Sequence, residues 1–232
     1  MRIIPKTWHK SWDGFMKNPQ TLIELEQIEL KIGTNYCPLE EHVLRFLNVD
    51  LSSVKYIIVG MEPYPTLDDS GNPVATGRSF EIGTVSSWLE KYKQSSLRNI
   101  LKTVYYNETG VIESLENVRK YINNGEFKIS SPPEWFEKME AQGVLFLNAS
   151  LTVETNNVGS HTEIWDNFMT ALTNYINKYN DNVFWMLWGK DALNRISPLL
   201  KNDNQIIACH PRLHQFLKDN CFAKANDINW KV

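Results

Sequence analysis

Four short apolar runs constrain the fold of this chain more than any other feature of its sequence. They span residues 54–59, 144–147, 183–188 and 206–208. Each run is almost continuously apolar and is bounded by Gly, Pro, Asn or a charged residue, a pattern typical of strands buried on both faces of a sheet. We therefore predict four buried strands.

Segments with helical periodicity lie between and around these runs. They cover residues 21–31, 39–47, 96–104, 163–179 and 191–200. Ser95 or Ser96 is the expected N-cap of the third segment. Strands that alternate with helices favour a parallel sheet covered by helices on both faces. We predict a single three-layer α/β/α domain over residues 1–232, with a central four-stranded parallel sheet.

The length and composition fit one domain of this kind. A chain of 232 residues, 42% of them hydrophobic, can bury a sizeable core. No stretch reaches the apolar length of a membrane helix, and residues 1–5 (MRIIP) lack the apolar core of a signal peptide. Three cysteines without a C-x-x-C pair favour reduced thiols. We expect a cytoplasmic protein that does not contact a membrane.

The formal net charge of −3 argues against a strongly basic nucleic-acid-binding protein. The charge is unevenly distributed, because residues 18–69 carry a net charge of −6 and the remainder of the chain carries +3. The sequence is therefore compatible with a basic face.

The loops after the strands are where a parallel sheet places its functional groups. Glu62 follows the first predicted strand, Asn148 the second and His210 the fourth. A carboxylate, an amide and an imidazole that converge from three strand ends form a plausible hydrolytic or base-reading site. Taken singly, each has a local explanation: a solvated turn acid, a capping amide and a half-buried imidazole. Their joint occurrence favours a site.

Motifs in order along the chain resemble the uracil-DNA glycosylase family, best in its uracil-N-glycosylase branch. Residues 60–65 (GMEPYP) resemble the family's G-Q-D-P-Y-H, and residues 75–80 (ATGRSF) match A-x-G-x-x-F at each fixed position. Residues 143–148 (GVLFLN) resemble G-V-L-L-L-N. Further similar segments are residues 95–100 (SSLRNI), 151–153 (LTV), 160–161 (SH), 186–189 (MLWG) and 210–213 (HPRL). The resemblance spans about residues 36–216 and is faint over residues 1–35, where we expect an N-terminal helical flap.

This resemblance implies a DNA-repair glycosylase that flips uracil out of DNA, hydrolyses its N-glycosidic bond and leaves an abasic site. Phe80 is then the ring on which uracil stacks, and Tyr64 excludes the methyl group of thymine. Asn148 reads the base edge, because one amide can both donate and accept a hydrogen bond. Glu62 orients water and stabilises the sugar cation, and His210 donates to the base oxygen where charge develops.

The resemblance also implies DNA contacts, without a metal or cofactor. Leu213 resembles the wedge that fills the gap left by the flipped base, and it is almost as well suited to staple the following helix. Candidate phosphate ligands, which position DNA without reading its sequence, are Ser96, Ser160, His161, Lys190 and Arg212. We expect a monomer whose partners are single- or double-stranded DNA containing uracil and a proteinaceous inhibitor. Positive charge around the pocket is expected from Arg78, Lys190, Arg212, Lys218 and Lys224.

Four substitutions separate the catalytic loops from the family's motifs. Met61 replaces a glutamine at the base, Pro65 replaces a histidine, and Arg212 replaces a small residue. Glu62 replaces an aspartate, so its carboxylate moves by about one C–C bond. Because a displacement of about 1 Å can lower a rate about 100-fold, these changes bear on activity and specificity.

Three functions are compatible with these residues. The preferred one is an active uracil-DNA glycosylase. The second is a diverged member that excises another base, or that binds DNA or a protein without catalysis. The third is a nucleotide-binding or hydrolytic enzyme that shares only the layer architecture. The absence of G-x-x-x-x-G-K-[ST] and G-x-G-x-x-G weighs against the third.

Overall fold

The computed structural model describes residues 2–200 and 203–232. Its strands are β1 (Tyr36–Cys37), β2 (Tyr56–Gly60), β3 (Val144–Asn148), β4 (Val153–Glu154), β5 (Phe184–Trp188) and β6 (Gln205–Ala208). Four of them form a parallel sheet in the order β3-β2-β5-β6, while β1 and β4 pair antiparallel. The predicted central four-stranded parallel sheet is therefore confirmed, and each predicted run overlaps one of its strands.

Eight α-helices lie in this part of the chain, joined by short 3-10 turns. They are α1 (Asp13–Met16), α2 (Pro19–Ile32), α3 (Ser95–Thr109), α4 (Leu115–Asn123), α5 (Pro132–Ala141), α6 (Asp166–Tyr179), α7 (Lys190–Ile196) and α8 (Gln215–Asp219). None of the helices in residues 2–200 and 203–232 is long and apolar enough to cross a membrane.

The sheet is apolar throughout because both of its faces are covered. Successive strand side chains point to opposite faces, so Ile57 and Val59 lie in one core and Ile58 lies in the other. The first core is completed by side chains of α1, α2, α6 and α7, and the second by those of α3, α4, α5 and α8. This arrangement is the predicted three-layer α/β/α fold.

The N-terminal segment belongs to the first core. The Trp12 indole is fully buried, donates to the Val49 carbonyl oxygen at 2.8 Å and stacks on the Tyr175 ring. Phe15 is also buried, with its ring centroid 5.4 Å from that of Phe168. Trp12 and Phe15 therefore pack into the core and are not part of the surface.

Two local predictions were also wrong. Residues 39–47 do not form one helix, because the 3-10 turns Glu40–His42 and Arg45–Asn48 divide them. Short 3-10 turns commonly serve as connectors, and here they direct Leu44 and Leu47 into the first core. The N-cap of α3 is Gln94, which leaves the predicted serine caps inside its first turn.

Candidate active site

The carboxyl ends of β2 and β3 bring an amide and an aromatic ring to one point. Gly60 pairs with Asn148 across the sheet. A Cβ atom at Gly60 would lie 2.5 Å from Asn148 Oδ1, 2.9 Å from Ser79 Cβ and 3.6 Å from Phe80 Cε2. Only glycine permits so close an approach. The Asn148 amide and the Phe80 ring therefore both lie close against the end of β2.

Phe80 is held in an unusual backbone conformation. Its φ of 65° lies in the left-handed region, which side chains other than glycine seldom adopt and which recurs at functional sites. Its ring centroid lies 5.3 Å from the Trp188 ring and 6.1 Å from the His210 ring. The Phe80 ring thus connects the ends of β2 and β5 with the loop that carries His210.

A buried ion network supports the segment that carries Phe80. Arg78 Nη1 lies 3.0 Å from Glu81 Oε1, and its Nη2 lies 2.6 Å from Glu140 Oε2 on α5. Arg78 is 7% exposed. Our expectation that Arg78 adds positive charge at the mouth of the pocket is therefore wrong, because burial requires its charge to be paired and two carboxylates surround it.

His210 is placed as a neutral hydrogen-bond donor. The backbone N–H of Arg212 donates to His210 Nδ1 at 3.1 Å, which leaves the ring proton on Nε2. Burial lowers the pKa of His210, the Arg212 charge lowers it further, and Asp191 opposes both. The imidazole packs on Gly189, where a Cβ would lie 2.9 Å from His210 Cβ.

The carboxylate of Glu62 is held by a backbone group. The N–H of Gly159 donates to both Oε1 and Oε2 at 3.0 Å. Burial raises the pKa of Glu62, and Asp191 raises it further, whereas the Gly159 hydrogen bond and the Arg195 charge lower it. Because Asp191 acts on both Glu62 and His210, the first turn of α7 lies near both predicted catalytic groups.

The two other predicted base contacts flank Glu62 in the same loop. Tyr64 packs against Cys37, Ala75 and Val153, and burial raises the pKa of its phenol, which is therefore neutral. The carbonyl oxygen of Met61 accepts a hydrogen bond from the Ser150 N–H at 2.9 Å. The loop after β2 is thereby tied to the loop after β3.

The predicted DNA contacts fall into two groups. Lys190, Arg212 and Leu213 are exposed, and Asn99 ties the loop of the latter two to α3 by donating to the Pro211 carbonyl oxygen at 2.6 Å. These three side chains are accessible to a bound strand.

The other candidates are engaged within the protein or buried. Ser160 Oγ accepts from the Glu154 N–H at 2.8 Å. His161 is 6% exposed, and its Nδ1 lies 2.9 Å from Thr152 Oγ1. Ser96 is 8% exposed in the first turn of α3. Their phosphate contacts stay predictions.

Sequence reasoning missed three groups near the site. The Gly159 N–H is a backbone donor with no residue-type signature, although it directly precedes the Ser160-His161 motif. Arg195 and Asp191 looked like ordinary charges of an amphipathic helix. Within the described ranges, no group of three or more His, Cys, Asp or Glu side chains is arranged to hold a metal ion.

Comparison with known proteins shows the family. No protein-family model matches the chain. A relative from Lachnoclostridium phytofermentans, named uracil-DNA glycosylase, is 32% identical over 100% of this chain and 99% of its own length. The chain belongs to the uracil-DNA glycosylase family. A uracil-DNA glycosylase from Streptococcus sanguinis is 29% identical over 85% of this chain and 84% of its own. The predicted family is confirmed, and with it the predicted class of enzyme, a DNA-repair hydrolase of N-glycosyl bonds.

Solved structures confirm the fold. The wild-type UNG crystal structure from Nitratifractor salsuginis has a TM-score of 0.73 at 21% identity and covers 97% of this chain and 93% of that one. Mimivirus uracil-DNA glycosylase has a TM-score of 0.66 at 22% identity over 90% of this chain and 70% of that one. A mimivirus UNG variant solved in complex with UGI has a TM-score of 0.63 at 21% identity, with 88% and 70% coverage.

Proposed function

We propose that this uracil-DNA glycosylase flips uracil out of DNA and hydrolyses its N-glycosidic bond with Glu62 and His210, leaving an abasic site. One observation carries this proposal. Asn148 is 2% exposed, and no hydrogen bond joins its side-chain amide to any other residue of the described chain. Neither polar atom of this amide is among the unpaired side-chain atoms that are sealed from solvent, so the amide is open to a ligand that both accepts and donates a hydrogen bond.

Uracil supplies that pair of groups. Its O4 accepts from the Asn148 NH₂ group and its N3–H donates to the Asn148 amide oxygen, whereas cytosine presents an amine and an unprotonated nitrogen at the same edge. The Phe80 ring provides the stacking surface, and Tyr64 occupies the space that the methyl of thymine would need. Met61 offers the base a thioether where the family's motif has an amide.

Bond cleavage is assisted from both ends of the N-glycosidic bond. The C1′–N1 bond breaks with its electron pair passing to uracil, and the His210 Nε2–H stabilises the negative charge that develops on the uracil O2. Glu62, ionised and held by Gly159, stabilises the positive sugar and accepts a proton from the water that attacks C1′. No step requires a metal or a cofactor.

Contacts to the DNA backbone position the strand. Lys190 and Arg212 are exposed basic side chains near the site, suited to phosphate oxygens. Leu213 is 48% exposed at the tip of the His210 loop and enters the gap left by the flipped base. A few such contacts at one face suffice for binding, even though the formal net charge is −3.

The remaining parts of the proposal concern partners and location. We also propose that the chain acts as a monomer, and size-exclusion chromatography with light scattering measures this state. A cytoplasmic location is supported by the three free cysteines. A proteinaceous inhibitor is also proposed as a partner, in line with the mimivirus UNG variant solved in complex with UGI.

An oligonucleotide assay tests the function. Strands that contain one uracil, thymine or cytosine are incubated with the protein and treated with alkali, which breaks the strand at an abasic site. We expect breaks only with uracil, in both single and double strands. Retained DNA binding without any break supports a diverged binding module, and breaks at another base support altered specificity; either result contradicts the proposal.

A further inference from the structure

We propose that Arg195 is a positioning residue that holds the Glu62 carboxylate in place through the turn of residues 159–162. The inference rests on the proposed catalytic role of Glu62. It assigns a function to a side chain of α7 that none of the family's motifs includes.

A continuous set of hydrogen bonds connects the two side chains. Arg195 Nη2 donates to the Thr162 carbonyl oxygen at 2.9 Å and to Asp166 Oδ1 at 2.6 Å. The Thr162 N–H donates to the Gly159 carbonyl oxygen at 3.2 Å. The Gly159 N–H then donates to both carboxylate oxygens of Glu62 at 3.0 Å. The guanidinium thus fixes the turn whose amide orients the carboxylate.

The charge of Arg195 acts on Glu62 as well. Burial and Asp191 raise the pKa of Glu62, and the Arg195 charge opposes them. The Arg195 side chain is 17% exposed, so solvent screens its field only partly. Arg195 therefore favours the ionised carboxylate that the proposed chemistry requires.

One nitrogen of the Arg195 guanidinium is not engaged by the turn. Arg195 Nη1 is buried and has no hydrogen-bond partner among the described residues. An unpaired buried donor is unfavourable for folding. The contacts that place the guanidinium are those of Nη2 with Thr162 and Asp166.

Three variants separate positioning from general structure. Arg195→Met removes both the hydrogen bond to the turn and the charge, and we expect kcat to fall about 10- to 100-fold while KM for a uracil oligonucleotide changes by less than about twofold. Arg195→Lys keeps the charge and loses the planar guanidinium with its paired N–H donors, so a smaller loss of kcat is expected. Asp191→Asn is the control. Because Asp191 raises the pKa of Glu62, its removal should lower that pKa, whereas the removal of Arg195 should raise it.

The decisive readout is the titration of Glu62 itself, which a merely structural role of Arg195 would leave unchanged. Protein labelled with carboxyl-¹³C glutamate is titrated by NMR, and the Glu62 signal is assigned by its absence from Glu62→Gln. We expect Arg195→Met to move the titration to higher pH, Asp191→Asn to move it to lower pH, and Arg195→Lys to leave it near the wild-type position. Burial, Arg212 and Asp191 set the pKa of His210, so Arg195→Met leaves that histidine's titration in place.

Each outcome bears on the proposal. An unmoved Glu62 titration in Arg195→Met, or an unchanged kcat, overturns it. If Arg195→Met does not fold, Arg195→Gln, which removes the charge and keeps a polar amide, must move the titration to higher pH. On a Glu62→Gln background, Arg195→Met must cause no further loss of kcat, whereas additive losses contradict the proposal. If wild-type protein releases no uracil, the proposed function fails, while the NMR titration still tests the positioning of Glu62.

Discussion

The backbone N–H of Gly159 lies 3.0 Å from each carboxylate oxygen of Glu62, although 97 residues separate the two along the chain. This contact explains how a glutamate can stand where the family's motif has an aspartate. The additional methylene places the carboxylate within reach of a donor that a shorter side chain would not approach as closely. The substitution at residue 62 is therefore accommodated by the turn of residues 159–162.

Glu62→Asp should lower the rate, even though it restores the family's residue. The carboxylate withdraws from the Gly159 N–H by about one C–C bond, and a displacement of about 1 Å can lower a rate about 100-fold. Single-turnover kinetics on a uracil oligonucleotide measure the change. The exposed Glu26→Asp on α2 is the matched control and should keep the wild-type rate. An aspartate variant as fast as wild type contradicts the contact's role.

Leu213→Ala should show whether Leu213 acts as a wedge in DNA or as a hydrophobic staple of the following helix. Leu213 is 48% exposed, so its truncation should change the free energy of unfolding by less than about 0.5 kcal/mol. Excision from duplex DNA should fall about tenfold or more, because opening a base stack costs a few kcal/mol. Excision from single strands should be nearly unchanged. A marked loss of stability with equal effects on both substrates would favour the staple.

Stability should fall as pH drops from 7 to 5. Burial lowers the pKa of His42, His161 and His210 in the folded state, so the unfolded chain binds protons more readily below the ordinary histidine pKa of about 6.5. The raised pKa of Glu62 changes stability with pH in the opposite direction, so it partly offsets the loss of stability. Urea unfolding at several pH values measures the slope.

A histidine substitution checks the origin of that slope. His161→Gln removes a buried imidazole and should flatten the dependence of unfolding free energy on pH, whatever it does to stability at pH 7. His214→Gln, at an exposed position, is the matched control and should leave the slope nearly unchanged. Equal slopes in wild type and His161→Gln would contradict this explanation.

Arg78→Met should destabilise the protein by about 3–5 kcal/mol, because it leaves Glu81 and Glu140 partly buried without their partner. Lys17→Met removes an exposed pair with Asp13 and should leave the free energy of unfolding nearly unchanged. Chemical denaturation of both variants measures the difference. A loss for Arg78→Met no larger than that for Lys17→Met contradicts the buried network.

The fold was predictable from sequence because the determining signal is local. Continuous apolar runs with helices between them specify a doubly covered parallel sheet, and the residues after each run mark the site, as Asn148 shows. A capping sequence, Ser131 through Glu134, also marked the start of α5, which we did not predict.

The rest depends on contacts between distant residues. Arg78 looked like a surface charge until Glu140, 62 residues away, placed it in the interior. The amide of Gly159 carries no side chain that a pattern could detect. The 3-10 turns of residues 40–48 share the apolar spacing of a helix, and tertiary packing decides between the two.

The most direct test of the account is the release of free uracil in a single turnover, with protein in excess over an oligonucleotide containing one uracil. Wild-type protein should release one uracil per strand and leave one abasic site. Glu62→Gln should bind the same strand with similar affinity and release uracil slower by orders of magnitude. Equal rates for the two proteins, or binding by wild type without release of uracil, would contradict the account.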